Sequence, residues 1–297
     1  MASGYSSPTD GRELTREEVA AILVEPLTAA SVVLAAGPNI FDSQGGTPLR
    51  IPKIDQLELS DPWRAENSAI AEEDPTFGEV ELLPSSLKSV KVIHRVSREL
   101  IRHGVVGVPT ALSEALVERV ALVLDRAFLV GDGAADTVTG LAETTGVQTI
   151  PAVGSPDVDV LHDAELALLA ANANTETAGW FMHPRDLVAL RKQREGAGDG
   201  QYLVHPDPTE AGRYRLLGHP VHVTTQLPTD GGADNDESRI ILADLSNVAV
   251  GRDIDPEVTF LTERYAEFDQ IGIRVTGRWD IAPLNPEAVV VLEGVTA

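Results

Sequence analysis

The spacing of apolar residues along the chain predicts two prominent elements of different kinds. Within residues 90–96, Val90, Val92 and Val96 alternate with Lys91, Ile93 and Arg95, the period-two pattern of a half-buried strand. Over residues 110–130 apolar side chains recur at helical spacing, which predicts a helix about 30 Å long because each residue adds about 1.5 Å. On that helix we expect Glu114, Glu118, Ala121 and Asp125 to lie on one stripe. The opposing face is apolar and is expected to contain Leu112, Leu116, Val120, Val123 and Ala127.

Two glycines follow the predicted helix in the turn Gly131-Asp132-Gly133. A phosphate-binding loop needs the order strand, glycine turn, helix, because the amino end of the helix then supplies free N–H groups. Here the turn follows the helix, and Asp136 stands where the third glycine of a dinucleotide-binding pattern would be. The glycines therefore predict the end of the helix rather than a nucleotide site.

The N-terminal residues predict an arm followed by a helix. Residues 1–12 are small and polar and have no core of their own. Apolar residues recur at helical spacing over residues 14–36, which predicts a helix that Pro26 should break or kink. This helix either packs on the core of its own subunit or reaches a neighbouring one.

Residues 49–97 are interpreted as two strands separated by a long polar excursion, with residues 90–96 as the return strand. Over residues 55–81 the chain has nine acidic residues and a single basic one, Arg64. So few apolar residues interrupt this stretch that it cannot fold around a core of its own. We therefore predict an extended hairpin with an acidic crest, and a crest of this length commonly binds something.

Shorter elements fill the middle of the chain. Helices are predicted at 160–173 and 184–195 and a short buried strand at 240–243, and long strands return at 271–279 and 288–292. Long elements before residue 150 and after residue 250 thus enclose a compact region. This order predicts an α+β fold in which a continuous lobe is inserted into a discontinuous platform.

Composition narrows the range of functions. The 297 residues include 23 basic and 46 acidic ones, for a net charge of −23, and such a surface repels nucleic acid and anionic membranes. The absence of cysteine excludes disulfides, thiolate metal sites and thiol nucleophiles. No apolar run approaches the length of a membrane span, so neither a membrane partner nor a secretory segment is expected.

Candidate catalytic chemistry is sparse. No nucleophile elbow, phosphate loop or zinc helix occurs, and we expect no cofactor, no metal and no enzymatic activity. His219 and His222 are close in sequence, but on a strand an offset of three places them on opposite faces, which disfavours a shared metal. Several Asp-x-Asp pairs occur without a completed calcium loop. A run of basic residues could bind phosphate, or it could pair with the acidic crest of the same or a neighbouring chain. It comprises Lys88, Lys91, Arg95, Arg98 and Arg102.

The order of these parts resembles the major capsid proteins of tailed bacteriophages, with the Hong Kong 97-type capsid fold. The segment "LTREEVAAILVEPLTAASVVLAAG" is similar to the N-arm of that family, and residues 110–130 followed by "GDGAADTVTGL" are similar to its spine helix and glycine turn. "LLGHPVHVTTQLP" resembles a strand entry in the A-domain. "ILADLSNVAVGRD" and "IGIRVTGRWDIAPLNPEAVVVL" resemble the closing strands of the P-domain.

The resemblance implies a division of the chain into the parts of that fold. These are an N-terminal arm and helix at 1–48, an E-loop hairpin at 49–97, a P-domain at 98–151 and 246–297, and an A-domain at 152–245. Many relatives carry a scaffolding segment before the N-arm, whereas this sequence starts with Met1-Ala2. We therefore expect either a separate scaffolding protein or a chain that has already been trimmed.

The function implied is self-assembly into hexamers and pentamers of an icosahedral phage head around double-stranded DNA. The shell would be assembled in the host cytoplasm and become part of the virion. The expected partners are other copies of the chain, a scaffolding protein, a portal and, as an option left open, a decoration protein, with only non-specific contact to DNA. An encapsulin shell enclosing an enzyme is the alternative, and an acidic hydrolase is a third hypothesis from another class.

The crest between Pro62 and Pro75 is expected to lie over an adjacent subunit, with Trp63 as its apolar anchor and its acids facing arginines there. The residues predicted to make such contacts are Trp63, Arg64, Glu66, Glu72, Glu73, Asp74, Arg95, Arg98 and Arg102. Some relatives cross-link an E-loop lysine to an asparagine of a neighbour. The stretch 55–87 contains no lysine, so no such cross-link is expected here.

Overall fold

The structure is a computed structural model, and it describes part of the chain. The described residues are 27, 30–43, 48–54, 63, 77–83, 89–99, 108–134, 137–193, 214–253, 257–261 and 263–296. The helices are α1 Val32–Ala35, α2 Val108–Val130, α3 Val158–Ala170 and α4 Pro184–Lys192. The strands are β1 Asn39–Ser43, β2 Leu49–Ile54, β3 Phe77–Leu82, β4 Val90–Ser97, β5 Gln148–Ile150, β6 Ala178–Met182, β7 Arg215–Leu216, β8 His219–Val223, β9 Ser238–Asp244, β10 Val248–Asp253, β11 Glu257–Leu261, β12 Gln270–Gly277, β13 Trp279–Pro283 and β14 Val289–Val295.

A six-stranded mixed sheet in the order β5-β14-β9-β6-β8-β7 forms the centre of the fold. Two of its inner strands, β9 and β14, pair antiparallel and are buried on both faces. Because successive side chains of a strand point to opposite faces, Ile241 and Val291 enter one core and Leu242 and Val290 enter another. The first core contains the long helix α2, and the second contains α3 and α4.

The long helix α2 was predicted correctly in position and length, and it starts two residues earlier than expected. Its buried face is formed by Val117, Ala121, Leu124 and Phe128, at helical spacings of three and four. The predicted faces were wrong at three positions, because Ala121 and Asp125 are buried and Val123 is 54% exposed. The helix contacts core residues along one side and the N-terminal segment along the neighbouring side, so burial extends over Asp125.

The glycine turn ends α2, as the sequence predicted. The Gly131 amide donates to the Ala127 carbonyl at 3.0 Å, and the Gly140 amide donates to the Gly131 carbonyl at 2.8 Å. A Cβ atom on Gly131 would lie 2.2 Å from the Val138 carbonyl oxygen, so only glycine fits there. Gly133 has a φ of +68°, in the left-handed region that glycine adopts without strain.

The predicted hairpin has a different return strand. β2 pairs antiparallel with β3, Leu49 lying opposite Leu82, whereas β4 pairs with β12 and belongs to the sheet β11-β12-β4. The prediction of residues 90–96 as a half-buried strand was right, but their assignment as the partner of β2 was wrong. The strand that pairs with β2 is β3, with the sequence FGEVEL. Because it contains a glycine and two glutamates, the sequence pattern assigned it to the acidic crest.

The N-terminal helix predicted over 14–36 is interrupted within its described part. Leu27 and Ala30 are helical, but Ser31 is extended, with a ψ of 127°, and caps the short helix α1 with its side chain. Pro26, the expected break, lies outside the described residues. The chain then enters β1, which runs parallel to β10 in the sheet β1-β10-β13.

The central sheet contains strands from both the predicted P-domain and the predicted A-domain. β5 and β14 come from the first, and β6, β7, β8 and β9 come from the second. The division of the chain into those domains stays a prediction. Among the described residues, no helix combines the length and apolar character needed to span a membrane.

Candidate subunit-contact surface

One face of the sheet β11-β12-β4 presents cations to solvent. In register, Lys91 lies opposite Thr276, Ile93 opposite Arg274 and Arg95 opposite Gly272, so these side chains share one face. Val96 and Val275 are buried on the other. We call the residues of this face the basic sheet face, and they are the exposed Lys91, Ile93 and Arg95 and the half-buried Arg274.

A tyrosine is held at one end of the basic sheet face. The Tyr265 ring lies over Gly272, where a Cβ atom would come 2.9 Å from its Cε2 atom. The guanidinium carbons of Arg95 and Arg264 lie 5.6 Å and 5.5 Å from the ring centroid, within cation–π range. Phe268, in the same loop, is exposed. Aromatic and arginine side chains grouped in this way are typical of protein contact surfaces.

Arg98 is fixed next to this group by the same loop. Its backbone amide donates to the Asp269 carbonyl at 2.9 Å, and its Nε lies 3.9 Å from Asp269 Oδ1. Asp269 has a φ of +50°, the left-handed conformation of a tight turn. The structure thus brings together Arg95 and Arg98, two of the residues predicted to make subunit contacts.

Trp63 is 88% exposed in the single subunit, and it is the one described residue between β2 and β3. The other predicted contact residues lie outside the described part of the chain, namely Arg64, Glu66, Glu72, Glu73, Asp74 and Arg102. Their roles stay predictions. Sequence reasoning missed Tyr265, Arg264 and Arg274, whose place beside β4 follows from a strand register that local patterns do not specify.

A buried carboxylate joins the N-terminal segment to α2. Asp125 accepts hydrogen bonds from the Ser31 hydroxyl at 2.5 Å and from the Val32 and Val33 amides at 2.9 and 3.1 Å. It therefore satisfies the first amides of α1, which have no partner within the helix. Burial raises the pKa of the Asp125 carboxyl, and these hydrogen bonds offset part of that effect.

A second buried carboxylate, Asp244, closes the end of β9. It accepts hydrogen bonds from the Thr177 and Ser246 hydroxyls at 2.6 and 2.7 Å, from the Asn247 amide group at 2.7 Å and from the Asn174 backbone amide at 2.9 Å. Burial alone would raise the pKa of this carboxyl. The hydrogen bonds outweigh burial, so the pKa lies below its usual value. Asp244 is thus a structural anion at the junction of β6 and β9.

The two neighbouring histidines do face opposite sides of the sheet. His222 stacks on Phe181 with ring centroids 5.1 Å apart, and His219 Nε2 lies 3.6 Å from Glu165 Oε1 on α3. Glu165 also lies 3.5 Å from His162 Nδ1. In the described part of the chain, no three His, Asp or Glu side chains are grouped so that they could hold a metal ion.

Residues 11–294 match the sequence profile of the Phage capsid family, which is nearly the whole chain. The chain belongs to the phage capsid family. It is therefore a structural shell protein by family, and the predicted Hong Kong 97-type fold is confirmed by structural comparison. The basic sheet face and Trp63 are accordingly surfaces of a subunit that is built into a phage shell.

The relatives agree with this assignment. The chain is 26% identical to the major capsid protein of Klebsiella oxytoca phage phiKO2, an alignment that spans 96% of this chain and 68% of that protein. Its fold superposes on the structure from Microbacterium phage Oxtober96 with a TM-score of 0.68 at 16% identity, over 98% of this chain and 95% of that one. The holo-SrpI encapsulin complex from Synechococcus elongatus PCC 7942 superposes with a TM-score of 0.59 at 14% identity, over 99% and 93%.

Proposed function

We propose that this phage capsid family member is the major capsid protein of a tailed phage, whose copies form hexamers and pentamers of a head enclosing double-stranded DNA. The observation that carries the proposal is the match of residues 11–294 to the family together with a fold shared over almost the whole chain. The head would be assembled in the host cytoplasm. A scaffolding protein, a portal and a decoration protein are its proposed further partners.

The acidic crest of one copy lies, in this proposal, on the basic sheet face of an adjacent copy. Residues 55–76 connect β2 to β3 and have seven acidic residues and one basic residue, while the basic sheet face presents three cations on a chain of net charge −23. Opposite charges on two separate surfaces favour contact between copies and specify its register. Exposed Trp63 supplies the apolar anchor, because an isolated exposed tryptophan gains most from burial at an interface.

Sedimentation and electron microscopy of the purified chain test the shell function. We expect closed shells or capsomer rings, and particles recovered from infected cells should contain DNA. A compact monomer under all assembly conditions would contradict the proposal. Shells that contain an enzyme and no DNA would identify an encapsulin instead. The contents of the particles must therefore be determined, because the chain shares its fold with the SrpI encapsulin.

The crest contact is tested separately by charge reversal. Lys91→Glu with Arg95→Glu should lower the yield of shells at least tenfold and leave the subunit folded, because both side chains are exposed. Arg126→Glu with Arg215→Glu is the control of equal charge change at exposed positions away from the basic sheet face. Trp63→Ala should also weaken assembly. Equal shell yields for the two double variants would exclude the crest contact and leave the shell function standing.

A further inference from the structure

Two helices of the second core have complementary outer faces. The outer face of α3 contains Asp159, Asp163, Leu166 and Leu169, all exposed, and the two leucines are 64% and 53% exposed. α3 contains no lysine or arginine. Its inner face is already occupied, since Leu161, Ala164 and Leu168 are packed in the core. The outer leucines are therefore available to a partner outside the lobe, and the surrounding carboxylates favour a basic one.

The outer face of α4 has the opposite charge. Val188 is 45% exposed and is followed along the same helix face by half-buried Arg191, whose guanidinium carbon lies 4.9 Å from the Tyr214 ring centroid, and by exposed Lys192. The one acidic residue of α4, Asp186, is fully buried and accepts a hydrogen bond from the Ser238 hydroxyl at 2.7 Å. The outer face of α4 thus combines an apolar residue with cations and has no exposed carboxylate of its own.

We propose that α3 of one copy packs against α4 of an adjacent copy, Leu166 and Leu169 meeting Val188 while Asp159 and Asp163 face Lys192. This inference rests on the proposed shell function, which supplies the adjacent copies. A contact between α3 and α3 would place four carboxylates together and is disfavoured by charge repulsion. A contact between two different surfaces is heterologous, and heterologous contacts generate rings when the rotation between copies closes, the arrangement that hexamers and pentamers need.

Another exposed apolar residue with neighbouring arginines is a weaker partner for α3. Val123 on α2 is flanked by Arg119 and Arg126, but α2 also has an exposed carboxylate, Glu118, next to Arg119 in the sequence, whereas the described outer face of α4 has none. Ile93 lies in the basic sheet face, which the proposed function already assigns to the acidic crest. Val123 therefore serves as the matched comparison for Val188.

Cysteine pairing tests the contact directly, because the chain contains no cysteine. Particles are assembled from an equal mixture of Leu166→Cys and Val188→Cys chains, oxidised with diamide and analysed on a denaturing gel without reductant. We expect a disulfide-linked dimer at least tenfold more abundant than in particles of either variant alone. The chain that has both substitutions should give a ladder up to closed rings. The mixture cannot form an intrachain bond, so its dimer reports contact between copies.

Three results would overturn the contact: no dimer from the mixture in intact particles, an equally abundant dimer from Leu166→Cys alone, or an equally abundant dimer from Leu166→Cys mixed with Val123→Cys. Charge reversal gives an independent readout. Asp159→Lys with Asp163→Lys should reduce ring yield at least tenfold, and added Lys192→Glu should restore it several-fold. If the unmodified chain forms no particles, the shell function itself fails, whereas particles without the cross-link exclude only this contact.

Discussion

The Ser31 hydroxyl donates a 2.5 Å hydrogen bond to Oδ1 of Asp125, 94 residues further along the chain. The same serine oxygen accepts from the Leu34 amide at 3.2 Å, so one side chain caps α1 and joins it to α2. Because both side chains are fully buried, neither can replace the lost partner with water. The position of α1 against α2 therefore depends on this pair.

Asp125→Ala should lower the free energy of unfolding by about 1–3 kcal/mol, because it leaves the Ser31 hydroxyl and two amides of α1 unsatisfied in a buried site. Denaturant unfolding of the unassembled chain measures the change. Glu118→Ala is the matched control on the same helix and should change stability by less than about 0.5 kcal/mol, since Glu118 is exposed. Equal effects of the two substitutions would contradict the role assigned to Asp125.

The two buried carboxylates should give pH dependences of opposite sign. The folded pKa of Asp125 is raised above 3.8, so its contribution to stability declines as pH rises from about 3.8 through the folded pKa. The folded pKa of Asp244 is lowered, so its contribution is present above about 3.8 and is lost as pH falls through the folded pKa. Unfolding free energies of Asp125→Asn and Asp244→Asn between pH 2.5 and 7, relative to the unmodified chain, measure both slopes. Slopes of the same sign would show that one assignment is wrong.

Gly131→Ala should destabilise the subunit by more than about 2 kcal/mol, because the added methyl group would lie 2.2 Å from one carbonyl oxygen and 2.5 Å from another. Gly218→Ala is the comparison. Gly218 has a φ of +83° but nothing within 4 Å of an added Cβ, so the cost there is backbone strain alone, about 1–2 kcal/mol. Thermal unfolding of both variants shows which one loses more stability. A smaller loss of stability for Gly131→Ala than for Gly218→Ala would show that the turn can relax.

Mature particles should contain no covalent cross-link through lysine. A reactive lysine must be neutral, and therefore buried beside apolar and carboxyl groups, because the free amine has a pKa near ~10.4. The stretch 55–87 has no lysine, and both Lys91 and Lys192 are exposed. Boiled particles should give one band at about the chain mass of 31.6 kDa. A ladder of covalent multimers in the unmodified protein would refute this expectation.

Elements whose pattern is local could be predicted from the sequence. The period of residues 90–96 identified β4 as a half-buried strand, and the glycines after residue 130 identified the end of α2, because strand pleat and helix capping are properties of neighbouring residues. The exposed cations Lys91 and Arg95 follow from the same alternation. These two residues became part of the candidate contact surface.

Features that depend on distant residues could not be predicted in this way. The choice of β3 as the partner of β2 is a pairing between strands, and its glutamates gave β3 the character of a loop. The burial of Asp125 needs the amides of α1 beside it, and those amides lie 93 and 92 residues away in the sequence. Tyr265 reaches the basic sheet face because Gly272 lies opposite Arg95, a relationship that only the register of β4 and β12 creates.

The burial of β9 and β14 on both faces has a mechanical consequence. Each strand presents alternate side chains to the two cores, so displacing one core relative to the other would disrupt the close packing of side chains on strands that both cores share. A load applied at α2 is therefore transmitted to α3 and α4 through the sheet, and this part of the subunit responds as one stiff unit. A shell made from such stiff units deforms mainly at the contacts between copies.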